Sequence, residues 1–159
     1  MGIEIERKFL LKSNEWRAQI SESVDIHQGY LCRDKDRTVR VRIWNQIGKI
    51  TIKNAAQLGV RKEFEYTIPL EDAQEMLRDL CEPFPIYKTR HLVLFKGHTW
   101  EIDEFHGNLD GLVMAEIELS KANELFHKPD WIGMDVTEDH RFSNAHLSTC
   151  TSLDTLTSQ

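Results

Sequence analysis

A succession of segments in this chain places two like-charged residues two positions apart: Glu4 and Glu6, Arg40 and Arg42, Glu63 and Glu65, Lys88 and Arg90, Glu101 and Asp103, and Glu116 and Glu118. Lys53 follows Thr51 at the same spacing. The alternate positions are largely apolar, as in Val39, Val41 and Ile43, in Phe64, Tyr66 and Ile68, or in Ile117 and Leu119. Side chains two apart on a strand share a face, so each segment reads as a strand with one ionised and one apolar face. A twisted sheet with one wet face accounts for any single segment. It accounts poorly for the set, because solvated faces mix Lys, Glu, Ser and Thr, whereas like charges held together repel. Acidic strands facing basic strands across a closed lumen lower that cost. The apolar faces then point outward, where helices can cover part of them.

The strand segments are 3–11, 25–32, 37–44, 49–54, 61–68, 86–95, 99–105 and 112–119, with "NQIG", "KG" and "GNLDG" as turn-like connections. Helices are expected over 13–23, opened by Ser13, and over 69–80, where Pro69 stands near the start and Ala73, Met76, Leu77 and Leu80 form a stripe. A weaker helical segment runs over 120–127. The expected fold is therefore mainly β: a closed eight-stranded antiparallel barrel with a few helices packed outside. The 159 residues are expected to form one domain over 1–148 followed by a polar, frayed tail over 149–159.

Clustered carboxylates are hard oxygen ligands that suit Mg²⁺ or Mn²⁺ better than zinc. Clustered Arg and Lys suit phosphate oxygens. A lumen holding both sets fits a polyphosphate carried with its metal ion, and phosphoryl transfer needs mainly charge neutralisation, alignment and an activated nucleophile. The chain has neither a GxxxxGK[ST] loop nor a GxGxxG turn. A formal net charge of −6 argues against a general nucleic-acid binder. The absence of a charged leader and of any long apolar run argues against a membrane span. Cys32, Cys81 and Cys150 are odd in number and form no CxxC, which fits a reducing cytoplasm and no zinc site.

"EIERK" at 4–8 resembles the ExExK signature of the CYTH superfamily, the triphosphate tunnel metalloenzymes. "VRVR" at 39–42, "TIK" at 51–53, "EFE" at 63–65, "KTR" at 88–90, "EID" at 101–103 and "EIE" at 116–118 follow in that family's order, and "VTEDHRFSN" at 136–144 is similar to the segment after its last acidic strand. The resemblance covers residues 1–148 and leans towards short bacterial proteins that hydrolyse inorganic tripolyphosphate. It implies an eight-stranded tunnel that binds a triphosphate with a divalent metal. Adenylate cyclases, thiamine triphosphatases and RNA triphosphatases share the family, so the substrate stays open between them. Carried over by motif, Glu4, Glu6, Asp103, Glu116 and Glu118 match metal-binding carboxylates. Lys8, Arg40, Arg42, Lys53, Lys88 and Arg90 match phosphate-binding cations, and Arg141 matches a basic residue of the C-terminal segment. Glu63 and Glu65 either ligate metal directly, touch it indirectly or balance the arginines. Tyr30 matches a tunnel-wall tyrosine: beside cations its phenol, like Lys8, could take part in catalysis, or it could simply pack with a hydrogen-bonded hydroxyl. Glu101 shares the face of Asp103 nearer a strand end.

Trp16, Trp44, Trp100 and Trp131 read as packing residues, and the histidines form no ligand pattern. A non-catalytic polyphosphate or nucleotide sensor is the reading from another class, and exposed tunnel walls suggest a homodimer. If the lumen is real, neutralising one carboxylate, such as Glu116→Gln, is expected to leave the empty protein equally or more stable.

Overall fold

The computed structural model describes residues 2–157. Antiparallel strands form its frame: β1 (Gly2–Leu11), β2 (Ile20–Arg33), β3 (Arg37–Trp44), β4 (Ile47–Asn54) and β5 (Val60–Ile68) are followed by helix α1 (Leu70–Asp79), then by β6 (Ile86–Phe95), β7 (His98–Phe105) and β8 (Val113–Glu118). The sheet order β5-β4-β3-β2-β6-β7-β8-β1 closes on itself because β1 pairs with β8 on one side and with β5 on the other. This is the closed eight-stranded antiparallel barrel that the charge doublets imply. Two hairpins turn on positive-φ pairs, Asn45 and Gln46 after β3 and Lys96 and Gly97 after β6, as tight right-twisted hairpins require.

The apolar strand faces point outward and are covered unevenly. Helix α1 lays Ala73 and Leu77 over Val41. It approaches so closely that a Cβ on Gly48 would stand 2.8 Å from the Ala73 Cβ. A larger core on the wall of β1, β6, β7 and β8 contains Phe9, Val93, Trp100, Ile102 and Ile117, closed over by Trp16 and Trp131. Among the described residues no helix is long and apolar enough to cross a membrane.

Three expectations change. Residues 13–23 do not form an α-helix: a single 3-10 turn at Glu15–Gln19 buries Trp16, and the chain then enters β2. Val24 there pairs with Arg90, and Ile20 with Val93, so sheet pairing with β6 overrides a weak helical pattern. Residues 120–127 carry no helix either, and Phe126 instead packs edge-on against Phe9 and Trp100. A short ninth strand, β9 (Ile132–Asp135), adds to the free stretch of β1.

The third change concerns the tail. Helices α2 (Asn144–Leu147) and α3 (Leu153–Thr157) bring Leu147, Cys150 and Leu156 into one core with Ile86, Phe105 and Met114. Phe105 stands two residues beyond Asp103 and Met114 two before Glu116, so both lie on lumen faces. The C-terminal segment therefore closes one end of the barrel with an apolar cap. Ser158 and Gln159, the last of the expected tail, lie outside the described residues. Leu156 is 3% exposed, so Leu156→Ala is expected to cost about 2–5 kcal/mol. Thermal denaturation is the check, and an unchanged midpoint would return this segment to the status of a loose tail.

Candidate active site

Ring order sets which faces oppose each other. In the closed order, β8 stands across from β3, β4 across from β7, and β5 across from β6. Glu116 and Glu118 thus stand on the strand across the ring from that of Arg40 and Arg42, and Lys53 on the strand across from that of Glu101 and Asp103. Along the acidic wall, Glu6 pairs in register with Glu118 and Lys8 with Glu116. A chamber of about 580 Å³ brings Glu4, Glu6, Glu116 and Glu118 together with Arg40, Arg42, Lys53 and Arg90.

The chamber is a lattice of ion pairs. Glu4 accepts from Lys53 at 2.9 Å and from Arg61 at 2.8 Å, and Glu6 accepts from Arg61 at 3.0 Å. Lys8 lies 3.6 Å from Glu6 and 3.8 Å from Glu116, and Arg90 lies 3.7 Å from Glu116. Arg42 reaches Glu65 at 3.4 Å and Lys53 reaches Glu63 at 3.1 Å, so both carboxylates of that doublet balance cations. Glu101 pairs with Arg90. Two groups stand apart from this lattice. Among the described residues, Glu118 has no lysine or arginine within ion-pair distance, and Arg40 has no carboxylate; Arg40 Nε is also buried without a hydrogen-bond partner.

Titration behaviour follows from this placement. Burial opposes ionisation of Glu4, yet the hydrogen bond from Glu63 and the charges of Lys53 and Arg61 outweigh it and hold Glu4 well below the usual carboxylate range. Burial and its hydrogen bond to Glu4 push Glu63 up to about 7. Glu6 is raised by burial and by neighbouring Glu116. Glu118 is raised by burial and by Glu4, Glu6 and Glu116. Glu6 and Glu118, raised by burial and like charge, join Glu4 and Glu116 in an all-oxygen donor set of the kind a hard divalent cation takes. Among the described residues, no three His, Cys, Asp or Glu side chains yet converge as ion ligands, because several oxygens are turned onto lysines and arginines.

Asp103, expected among the metal carboxylates, sits instead between two cations. It accepts from Lys88 at 2.8 Å and from Arg90 at 2.8 and 2.9 Å, and both Asp103 and Lys88 are 1% exposed. Arg141 departs further. Its guanidinium folds back on Asp139 at 2.6 Å and over the Phe142 ring, and it lines neither the chamber nor a second cavity of about 500 Å³ that shares Glu6 and Arg61 with it. Two residues separate it from the lumen-facing Asn144, and the turn at His140–Phe142 aims it outward. Tyr30 is 5% exposed and lines a constriction of about 30 Å³ with Arg40, Lys53 and Arg61. Arg61 went unread in the sequence, although it precedes Glu63 by two and so shares its face. The signal was present but masked by Lys62 beside it.

Residues 2–147 match the CYTH domain. The chain belongs to the CYTH family. This CYTH domain is 46% identical over 147 residues to an inorganic triphosphatase of Acetivibrio thermocellus, covering 92% of this chain and 94% of that one. It is 33% identical over 149 residues to an inorganic triphosphatase of Nitrosomonas europaea, covering 91% and 96%. The crystal structure of an inorganic triphosphatase superposes on it with a TM-score of 0.64 at 32% identity, over 93% of this chain and 95% of that one.

Proposed function

We propose that this CYTH domain hydrolyses inorganic tripolyphosphate to diphosphate and phosphate with a divalent metal, Mg²⁺ or Mn²⁺. The observation that carries the reading is that one closed chamber holds both Glu118 on β8 and Arg40 on β3; among the described residues Glu118 has no lysine or arginine, and Arg40 no carboxylate, at ion-pair distance. A metal on the acidic side and a phosphate on the basic side complete both. The high identity to inorganic triphosphatases over nearly the whole chain supports the same conclusion.

Glu4, Glu6, Glu116 and Glu118 would hold the metal, which when bound supplies charge neutralisation and an activated water. Arg40, Arg42, Lys53 and Arg90 align the phosphates, with Lys8 and Lys88 at the edges of the same cluster. Water attacks the terminal phosphorus, the bridging P–O bond breaks, and the electron pair leaves on diphosphate. Asp103 orients Lys88 and Arg90 rather than meeting the substrate. Tyr30 stands at the constriction, where its hydroxyl can order a phosphate oxygen.

Tripolyphosphate is expected to exceed ATP in kcat/KM by at least about tenfold, roughly 1.4 kcal/mol of transition-state preference. The chamber supplies charges for every phosphate and little that reads a base. Phosphate release from tripolyphosphate, ATP and thiamine triphosphate, with Mg²⁺ and Mn²⁺ in separate series, decides it. Faster turnover of ATP, or cyclic AMP as the main product, would overturn the assignment.

A further inference from the structure

The outer wall of the barrel carries a hydrogen-bonded chain that the chamber leaves unused. Arg90 faces the chamber, so its neighbour His91 on β6 and the paired Ser23 on β2 face outward. Ser23 Oγ lies 2.7 Å from His91 Nδ1, and His91 Nε2 lies 3.1 Å from a carboxylate oxygen of Glu104 on β7. Arg17 grips Glu104 in turn, at 2.7 and 3.4 Å, and the Trp16 ring packs 5.3 Å from the imidazole. Ser23 is exposed, whereas His91 beneath it is 8% exposed. The Arg17 hydrogen bond holds the Glu104 carboxyl down at about 2, so it stands there as an ionised acceptor. An acceptor at Nε2 fixes the ring proton on that nitrogen. The Nδ1 lone pair is then left to take the Ser23 hydroxyl hydrogen.

A hydroxyl bonded to a buried imidazole that a carboxylate orients is the arrangement of an activated serine, recognised by geometry and roles rather than by fold. Two further features suit acyl transfer. Over Glu22–Asp25, β2 pairs with β6 alone, because its pairing with β3 begins at Ile26. Every second residue of that edge turns its N–H away from β6, so an amide without a strand partner stands at or beside Ser23 to receive charge on an oxygen. A groove of about 640 Å³ also runs from Ser23 past Asp25 to the stacked rings of His27 and Tyr87, 4.1 Å apart. Asp25 disfavours an anion there, and Lys88, which borders the groove, commits its ammonium to Asp103. We propose that Ser23, His91 and Glu104 form a second catalytic site, outside the barrel, that hydrolyses neutral carboxylic esters laid along this groove. Ser23 Oγ bonds to the ester carbonyl carbon as its proton passes to His91 Nδ1; the alcohol C–O bond then breaks and that proton leaves on the alcohol. Water attacks the acyl-serine in the same way, giving a proton to His91, and Ser23 recovers it as the carboxylic acid departs. Glu104 touches no reacting atom and is a positioning residue. This site is independent of the triphosphate reading.

The test uses the full chain in EDTA with two probes: 4-nitrophenyl butyrate, read as nitrophenol release, and an alkyl fluorophosphonate, read as a mass adduct mapped to its peptide. Wild type is expected to cleave the ester at least about tenfold faster than buffer and to take the adduct on Ser23. Ser21 is the internal control. It is exposed on the same strand face, but its hydroxyl donates to the Leu92 carbonyl at 3.0 Å, and it should stay unlabelled. Ser23→Ala is expected to lower the ester rate at least about tenfold and to abolish the adduct, while circular dichroism stays that of wild type. Glu104→Gln places an amide donor within reach of Nε2, which turns an Nδ1 proton onto Ser23, and should slow acylation at least about tenfold; Glu104→Asp, which keeps the acceptor, should recover most of the rate. Should Ser23→Ala fail to fold, the wild-type adduct map decides the matter alone. Labelling of Ser21 as readily as Ser23, ester cleavage that survives Ser23→Ala, or no cleavage by wild type would overturn the proposal.

Discussion

Glu118→Gln is expected to lower metal-dependent turnover by at least about a hundredfold while leaving the fold intact. Glu118 is the carboxylate of the acidic quartet with no lysine or arginine at ion-pair distance among the described residues, so its charge is available to an incoming cation. The amide keeps the shape and loses the anionic ligand. Stability should stay level or rise, and the sign follows from the environment. Burial together with Glu4, Glu6 and Glu116 raises the Glu118 carboxyl, so the folded state prefers it protonated. Such a group favours folding below its unfolded pKa and loses that contribution as pH climbs through the folded one, so at neutral pH its charge is a burden that glutamine removes. The sequence assigned this behaviour to Glu116, and the structure moves it. Although burial opposes the Glu116 charge, Lys8 and Arg90 outweigh that and hold it below the usual range, so Glu116→Gln should weaken the fold. Arg42→Ala offers the contrast: it should raise KM chiefly, with turnover partly restored at high substrate. Near wild-type turnover in Glu118→Gln would remove that carboxylate from any metal site.

Asp103→Ala is expected to cost about 3–5 kcal/mol of stability, the usual penalty for stripping one partner from a buried ion pair. Asp103 satisfies Lys88 and Arg90 together; when it goes, Lys88 retains, among the described residues, Asn144 at 3.3 Å, the Phe105 ring at 5.5 Å and more distant charges. Burial opposes ionisation of Asp103, but Arg90 and Lys88 overcome it and lower its pKa strongly. The contribution is therefore present above the unfolded carboxylate pKa, near 3.9, and lost as pH falls through the folded one. Scanning calorimetry at neutral pH should show a midpoint roughly 6–20 °C lower, given about 2–4 °C per kcal/mol for a chain this size. Adding Lys88→Met to Asp103→Ala should recover part of the loss, because the stranded ammonium is then gone. A loss below about 1 kcal/mol in the single variant would show that the pair is not the structural hinge of the cationic wall.

The barrel was legible because its charges repeat every second residue, and that period survives whatever covers the outside. The chamber was legible for the same reason: Glu4, Glu6, Arg40, Arg42, Lys53, Glu116 and Glu118 all meet in it. What alternation cannot give is the pairing partner. Asp103 shares its face with Glu101, yet the register Arg90↔Asp103 places it against a guanidinium. Residues 13–23 misled because Trp16 and Ile20 have helical spacing, whereas the extended pairing of Ile20–Val24 with β6 exists only in three dimensions. The C-terminal segment misled through composition. A few apolar residues among Ser and Thr suffice when they cap a lumen already lined by Phe105 and Met114.

Closure of the ring has a consequence for how motion spreads through this molecule. Strand β1 is the keystone, since Gly2–Ile5 pair with β5 while Glu6–Leu10 pair with β8, and the same strand presents Glu4 and Glu6 to the chamber. No arc of the barrel can hold the acidic and basic walls opposite each other until that strand is seated. Ligand affinity is thus a property of the whole circuit, and any opening of the β1 seam empties the site. Occupancy should suppress the large, ring-opening fluctuations and leave local fraying untouched, so amide protons in strands far from the ligand, such as β2, would exchange more slowly in step with those of β1.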